Sequence, residues 1–163
     1  MRRNLILALI LCLLLVPSSS WAKEPDRAQL KLFKVNEFTL CSMCGEFYPV
    51  FENQDVSSLA SYSQFLQDNE YNLTFWGEPG STVTIFGSFD YVTDKGYLIV
   101  HKLDDQPIYL YDLEKFPENE WTEVGPEGVS KGKFFAYYHP YENFKMNISS
   151  VKWGQWWPDS VEK

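Results

Sequence analysis

Basic side chains are few in this sequence of 163 residues. Fourteen lysines and arginines stand against 22 acidic residues, which gives a formal net charge of -8 and a sequence pI near 4.7. Binding to the phosphates of nucleic acid requires clustered lysine and arginine, and the sequence contains no basic run. We therefore expect no nucleic-acid partner.

Residue types that carry catalysis are also scarce. The sequence has two histidines, His101 and His139, and it lacks a nucleophile elbow, a phosphate-binding glycine loop and a calcium-loop spacing. Its carboxylate pairs, such as Asp104 with Asp105, fall in predicted turns, where solvation explains them. These absences favour a non-catalytic protein, and we expect no cofactor.

Long apolar runs are limited to one, between Leu5 and Val16, which Arg2 and Arg3 precede. The run is shorter than the roughly 20 residues of a membrane-spanning helix. Ser20 and Ala22 supply the small residues that a signal peptidase requires. We predict a secretory signal peptide over residues 1–22, cleaved after Ala22; the alternative is an uncleaved membrane anchor.

No second apolar run follows the signal peptide. We therefore expect the mature chain to have no membrane span and to be periplasmic or secreted.

Aromatic residues, in contrast, are abundant, with 12 Phe, 10 Tyr and 6 Trp. Disordered acidic segments contain few aromatic residues, so this composition predicts a folded domain of ordinary size with a buried core.

From residue 82 onwards, apolar and polar residues alternate between turn-forming clusters, which is typical of β-strands. Five strands are predicted: Thr82–Val92, Tyr97–Leu103, Pro107–Asp112, Lys133–His139 and Lys145–Trp153.

The first of these strands contains Val83, Ile85, Gly87 and Phe89 in the order V-x-I-x-G-x-φ, where φ is apolar. With this motif, residues 81–153 resemble small bacterial periplasmic OB-fold proteins. The resemblance implies a mainly β protein with a five-stranded OB-like barrel and a sharp bend of the first strand at Gly87. The alternation is also compatible with an unrelated small sandwich or meander.

The segment before the barrel, residues 23–80, is predicted to be an extension that packs on it. It is expected to contain short strands between Ala28 and Leu40, a helix from Asp55 or Ser57 to Leu66, and a strand over Tyr71–Trp76. Residues 81–163 form the predicted barrel with an aromatic C-terminal tail.

Two cysteines, Cys41 and Cys44, remain after signal cleavage, and Gly45 follows them. In an oxidising compartment we expect a disulfide between them. Two alternatives stay open: thiol-disulfide exchange, and binding of zinc or copper by this half of a metal knuckle.

Tyrosines in the predicted strands suggest a ligand surface. If Ile108 and Leu110 face the core, Tyr109 and Tyr111 face outward, because side chains alternate across a strand. The OB-fold resemblance implies a ligand face around these strands. The candidate ligand-binding residues are Tyr109, Tyr111, Tyr137, His139 and Tyr141.

Such an aromatic surface suits a protein, peptide or carbohydrate partner, since an acidic surface repels phosphates. Alternatively, the tyrosines pack beneath the N-terminal extension as a second core. The sequence thus favours an exported, non-catalytic binding protein, with thiol-disulfide or metal handling through Cys41 and Cys44 as the alternative.

Overall fold

The computed structural model describes residues 27–34, 47–63 and 65–155. The predicted signal peptide, Cys41, Cys44 and the end of the aromatic tail lie outside these ranges. The described ranges contain nine strands: β1 (Gln29–Lys34), β2 (Phe47–Phe51), β3 (Tyr71–Trp76), β4 (Thr82–Phe86), β5 (Tyr97–Lys102), β6 (Ile108–Leu110), β7 (Trp121–Val124), β8 (Phe134–His139) and β9 (Ser150–Trp153).

The strands form two sheets in which every strand pair is antiparallel. The four-stranded sheet has the order β2-β1-β3-β6, and the five-stranded sheet has the order β7-β8-β5-β4-β9. The prediction of a mainly β protein is therefore confirmed.

The core lies between the two sheets. Leu73 and Phe75 of β3 are fully buried and belong to the same apolar cluster as Ile85 of β4 and Leu98 of β5. Both sheets therefore contribute apolar side chains to one shared core between them. The architecture over the described residues is thus a two-layer sandwich.

The prediction of a closed five-stranded barrel is wrong, as the position of β6 shows. An OB-like barrel would keep this strand with its sequence neighbours, but β6 pairs with β3 of the other sheet, in register Leu73 with Leu110 and Phe75 with Ile108. The two sheets stay open over the described residues. Strands on both sides of residue 80 share one sheet, and the division of the chain at that point stays a prediction.

The predicted helix near Val56 is also corrected. Over residues 55–63, 65 and 66 the chain forms turns, and its backbone bonds elsewhere: Val56 exchanges two hydrogen bonds with Val151 of β9, and the Leu59 amide donates to the Ser149 carbonyl. Leu59 and Tyr62 are nevertheless buried in the core. The apolar spacing identified a buried segment, but long-range hydrogen bonds determine its backbone.

The first predicted strand is shorter than expected. It ends at Phe86, and Phe89–Tyr91 form a single 3-10 turn in which Asp90 and Tyr91 have positive φ angles of 53° and 63°. Residues 144–146 form a second such turn before β9. Within the part of the chain that the structure describes, no helix is long and apolar enough to cross a membrane.

Candidate functional site

The five candidate residues do not lie on one surface. Tyr109 is half-buried on the outer face of β6, and Tyr111, directly after it, is 47% exposed. Tyr137 and His139 belong to β8 of the other sheet. Tyr141, in the loop after β8, is 44% exposed.

The outward orientation predicted for Tyr109 is confirmed. Ile108 and Leu110 are buried on either side of it, and Tyr109 pairs across the sheet with Thr74. Its ring meets the Trp76 ring edge to face, with 6.1 Å between the centroids. The two rings form a small aromatic pair on the outside of the four-stranded sheet.

A larger aromatic cluster covers the outer face of the five-stranded sheet. Tyr97 stacks on Tyr137 at 6.0 Å and on His139 at 5.0 Å, with interplanar angles of 16° and 22°. The Trp121 ring lies 5.4 Å from that of Tyr137. We call this surface the aromatic sheet face; its residues are Phe86, Tyr91, Tyr97, Trp121, Tyr137 and His139.

The strand register places these rings together. Tyr97 of β5 lies opposite His139 of β8 and Phe86 of β4, and Trp121 of β7 lies opposite Tyr137. Directly opposed residues of antiparallel strands project on the same side of the sheet, close enough for ring contact. The aromatic sheet face therefore follows from the pairing of four strands.

Sequence reasoning missed Tyr97 and Trp121 as members of this surface. Tyr97 falls in a predicted strand whose neighbouring strand is not assigned, and Trp121 lies outside the five predicted strands. β7 has no regular alternation of buried and exposed residues, since Trp121, Thr122 and Val124 are all partly buried, so the sequence carried no clear signal for this strand.

The centre of the aromatic sheet face is a second buried apolar cluster, in which Phe86, Tyr97 and Tyr137 pack with Ile99, and partly buried side chains lie around it. Tyr97 is 3% exposed and Tyr137 is 7% exposed, whereas Tyr91, Trp121 and His139 are half-buried. Burial, together with the neighbouring Tyr137, raises the pKa of Tyr97 far above its ordinary value, so this phenol stays neutral. A neutral aromatic surface with a solvent-accessible rim is suited to apolar and stacking contacts.

His139 is held in place by two contacts. Its Nδ1 lies 2.6 Å from Oδ1 of Asn119, and its ring stacks on Tyr97. If Nδ1 donates to the amide oxygen, Nε2 is the unprotonated nitrogen in the neutral ring and is available as an acceptor. The imidazole thus adds one oriented polar group to an otherwise aromatic surface.

Tyr141 lines a separate shallow recess of about 430 Å³. The recess also contains the carboxylates of Glu114, Glu118 and Glu142. Tyr141 is therefore in an acidic environment beside the aromatic sheet face, in the loop that leaves β8.

A wider cleft of about 880 Å³ lies at one end of the sandwich. Five segments surround it: the residues before β1, the turn after β2, the loop between β3 and β4, the loop between β5 and β6, and the chain after β9. We call it the sandwich-end cleft; its lining residues are Arg27, Ala28, Glu52, Asn53, Trp76, Gly77, Glu78, Pro79, Gly80, Ser81, Thr82, Asp105, Gln106, Pro107, Trp153, Gly154 and Gln155.

Cys41 and Cys44 lie outside the described residues, so their disulfide, redox and metal interpretations stay predictions. Among residues 27–34, 47–63 and 65–155, no group of three or more His, Cys, Asp or Glu side chains is arranged to hold a metal ion. His101, the other imidazole, has its Nδ1 2.8 Å from the Thr82 hydroxyl.

Comparison of the chain with protein-family models, with curated proteins and with solved structures finds no match. The OB-fold resemblance accordingly stays a prediction.

Proposed function

We propose that this chain is an exported, non-catalytic binding protein that contacts a protein, peptide or carbohydrate partner through the aromatic sheet face. The observation that carries the proposal is the stack of Tyr97, Tyr137 and His139 beside Trp121 on the outside of the five-stranded sheet.

The arrangement supports binding because its rings are held rigidly before any partner arrives. The buried rings of Tyr97 and Tyr137 fix the positions of the half-buried Trp121 and His139. A preorganised surface loses little conformational entropy on association. Tryptophan and tyrosine are also enriched among the interface residues whose replacement by alanine costs the most binding free energy.

Selection of ligands followed by matched variants tests the proposal. Peptide-display and glycan-array selections with the purified protein provide ligands, which are then titrated against the wild type, Trp121→Ala and His139→Ala. We expect both variants to weaken binding about tenfold or more, since each removes a ring from the contact surface. Tyr111→Ala is the control, because Tyr111 is exposed outside the aromatic sheet face.

Equal denaturation midpoints for His139→Ala and the wild type establish that the fold is retained. Selections that yield no ligand, or ligands that bind both variants as tightly as the wild type, overturn the proposal.

The predicted export of the protein is tested by the position of its mature amino terminus. The small residues Ser20 and Ala22 after the apolar run predict a mature amino terminus at Lys23. Mass spectrometry of the protein recovered from the periplasm or medium should give the mass of the chain from Lys23. Retention of Trp21 in the mature protein would contradict the predicted cleavage.

A further inference from the structure

The sandwich-end cleft is distant from the aromatic sheet face. Thr82, at the start of β4, lines the cleft, whereas Phe86, at the end of the same strand, belongs to the aromatic sheet face. Four residues of extended strand separate the two positions by about 13 Å. The cleft is therefore a second place on the molecule where a ligand would meet different side chains.

Hydrogen bonds hold the loops around the cleft in one arrangement. The Gly80 amide donates to the Lys102 carbonyl and the Lys102 amide donates to the Ser81 carbonyl, both at 2.9 Å, while the Gly154 amide donates to the Thr82 carbonyl at 3.0 Å. The fully buried Lys102 also donates its Nζ proton to the Gln106 carbonyl. The loops from three parts of the chain are thereby fixed to the end of β5 and the start of β4.

Close packing of the loop after β3 against the start of β1 also holds the cleft in shape. A Cβ atom on Gly77 would lie 2.7 Å from the Cβ of Ala28, so glycine lets the loop after β3 pass directly beside the start of β1. On the far side, Arg27 donates from Nη2 to the Glu52 carbonyl at 2.5 Å. The cleft is therefore built into the fold.

The aromatic part of the lining consists of two tryptophans. The half-buried Trp76 is supported from behind by Tyr109. Trp153 is 7% exposed, and its buried Nε1 has no hydrogen-bond acceptor within the described part of the chain. The Trp153 ring packs against Phe75 of the core, with 5.7 Å between the centroids, so it forms the fixed inner wall of the cleft.

The polar part of the lining offers both donors and acceptors. Asn53, Gln106 and Gln155 carry side-chain amides. Among the described lining residues there are three carboxylates, on Glu52, Glu78 and Asp105, and one cation, on Arg27. This excess of negative charge disfavours phosphorylated and other anionic ligands. A wholly apolar ligand would leave the polar groups without partners.

We propose that the sandwich-end cleft binds a neutral saccharide, with the Trp76 indole as its stacking surface and the surrounding amides and carboxylates as hydrogen-bond partners of its hydroxyls. Sugar hydroxyls donate and accept hydrogen bonds, which matches this mixed lining, and the apolar face of a sugar ring packs on an aromatic ring. The volume of about 880 Å³ is within the range of small-molecule sites.

Titration with defined probes tests the proposal. The ¹⁵N-labelled full chain is titrated with the neutral disaccharides cellobiose, maltose and N,N′-diacetylchitobiose, and in parallel with glucose 6-phosphate and the dipeptide Lys-Lys. We expect saturable shifts of the Trp76 and Trp153 indole resonances with at least one neutral disaccharide. We expect undetectable shifts with glucose 6-phosphate, which the carboxylates repel. Lys-Lys is attracted by the carboxylates but has no ring to stack on Trp76, so it should bind more weakly than the disaccharide.

Two variants and one control locate the binding. Trp76→Ala should weaken the affinity about tenfold or more by removing the stacking ring. Gln106→Ala removes an exposed amide, together with its hydrogen bond to the neighbouring Asp105 carboxylate, and retains the backbone carbonyl that Lys102 contacts, so it should weaken binding several-fold with the fold retained. Tyr111→Ala, which removes an exposed ring that belongs to neither surface, should bind the saccharide as the wild type does.

The proposal is overturned if none of the neutral disaccharides gives saturable shifts, or if the phosphate ester or the dipeptide binds more tightly. Equal affinity of Gln106→Ala, Trp76→Ala and the wild type also overturns it. Loss of binding in Trp121→Ala alone would assign the saccharide to the aromatic sheet face, which separates failure of this proposal from failure of the proposed function.

Discussion

Tyr137 and Tyr111 have opposite solvent exposures, 7% and 47%. Replacement of Tyr137 by alanine removes a ring that contacts Tyr97 and Trp121, and we expect it to lower the free energy of unfolding by about 3 kcal/mol or more. Replacement of Tyr111 should cost less than about 1 kcal/mol. Urea denaturation of the two variants beside the wild type measures both.

Comparable losses in the two variants would contradict this assignment of environments. In particular, a large loss for Tyr111→Ala would mean that its side chain is buried in solution.

Cys41 and Cys44 permit a second test at the scale of single residues. If the pair forms only a tight-loop disulfide, replacement of both by serine should lower the free energy of unfolding by no more than about 2 kcal/mol, because so short a loop constrains the unfolded chain little. Thiol titration with and without reductant, together with metal analysis, should show an inert, oxidised pair.

A different outcome supports the alternative function. A rapidly exchanging thiol pair would indicate redox activity. One bound zinc or copper ion, with failure of the serine variant to fold, would indicate a metal site, since metal-binding energy is then folding energy.

For the candidate site, the sequence predicts which way a side chain points within a strand, but not which strands lie beside each other. Alternation correctly orients Tyr109 between Ile108 and Leu110 because neighbouring side chains in a strand point to opposite faces. It does not identify the neighbouring strand. The stack of His139 on Tyr97 depends on the pairing of β8 with β5, which the local sequence does not encode.

At the scale of elements, the β4–β5 connection depends on Gly87. A Cβ atom there would lie 1.9 Å from the Lys95 carbonyl oxygen, and the Gly87 amide donates to the Gly96 carbonyl. Gly87→Ala should therefore force the two chain segments apart and lower the free energy of unfolding by at least about 2 kcal/mol. Chemical denaturation checks this value.

Gly125→Ala is the matched control for that experiment. A Cβ at Gly125 meets no atom within 4 Å, so the change should be neutral or slightly stabilising. Similar stabilities for the Gly87 and Gly125 variants would show that the connection yields easily, against our expectation.

Elements defined by local pattern were predicted better than elements defined by distant partners. β3 has the predicted bounds Tyr71–Trp76, since its flanking turn residues are adjacent in sequence. The segment containing Leu59 has helical apolar spacing, yet its amide bonds to Ser149, 90 positions away in the chain. β2 and β7 were missed because each is short and partly exposed.

At the scale of the whole molecule, buried tyrosines make stability sensitive to alkaline pH. Burial, with a smaller effect of Glu114, raises the pKa of Tyr138 to about 12. Burial also raises the pKa values of Tyr71 and Tyr97 well above normal. Tyrosine in the unfolded chain ionises near pH 10, so the stabilisation is complete below about pH 10 and is lost as the pH rises through the folded-state values.

We expect the urea midpoint to fall between about pH 10 and 12, together with the appearance of tyrosinate absorbance. Lys34 has the opposite effect, because burial lowers its pKa despite the nearby Asp68. Its contribution to the free energy of unfolding therefore rises with pH until the pH reaches the pKa of lysine in the unfolded chain. Tyr138→Phe should reduce the alkaline loss. A midpoint that stays constant through pH 12 would contradict the prediction.

The contact between Val56 and Val151 has a consequence for self-association. β9 is an edge strand, and the exposed backbone of such a strand is a template on which another chain adds. Both backbone groups of Val151 are already bonded to Val56, and the Trp153 amide donates to the Asp55 carboxylate. A second copy approaching this edge therefore finds these groups occupied, so the turn segment hinders fibre growth and strand exchange along β9 in a protein rich in aromatic residues.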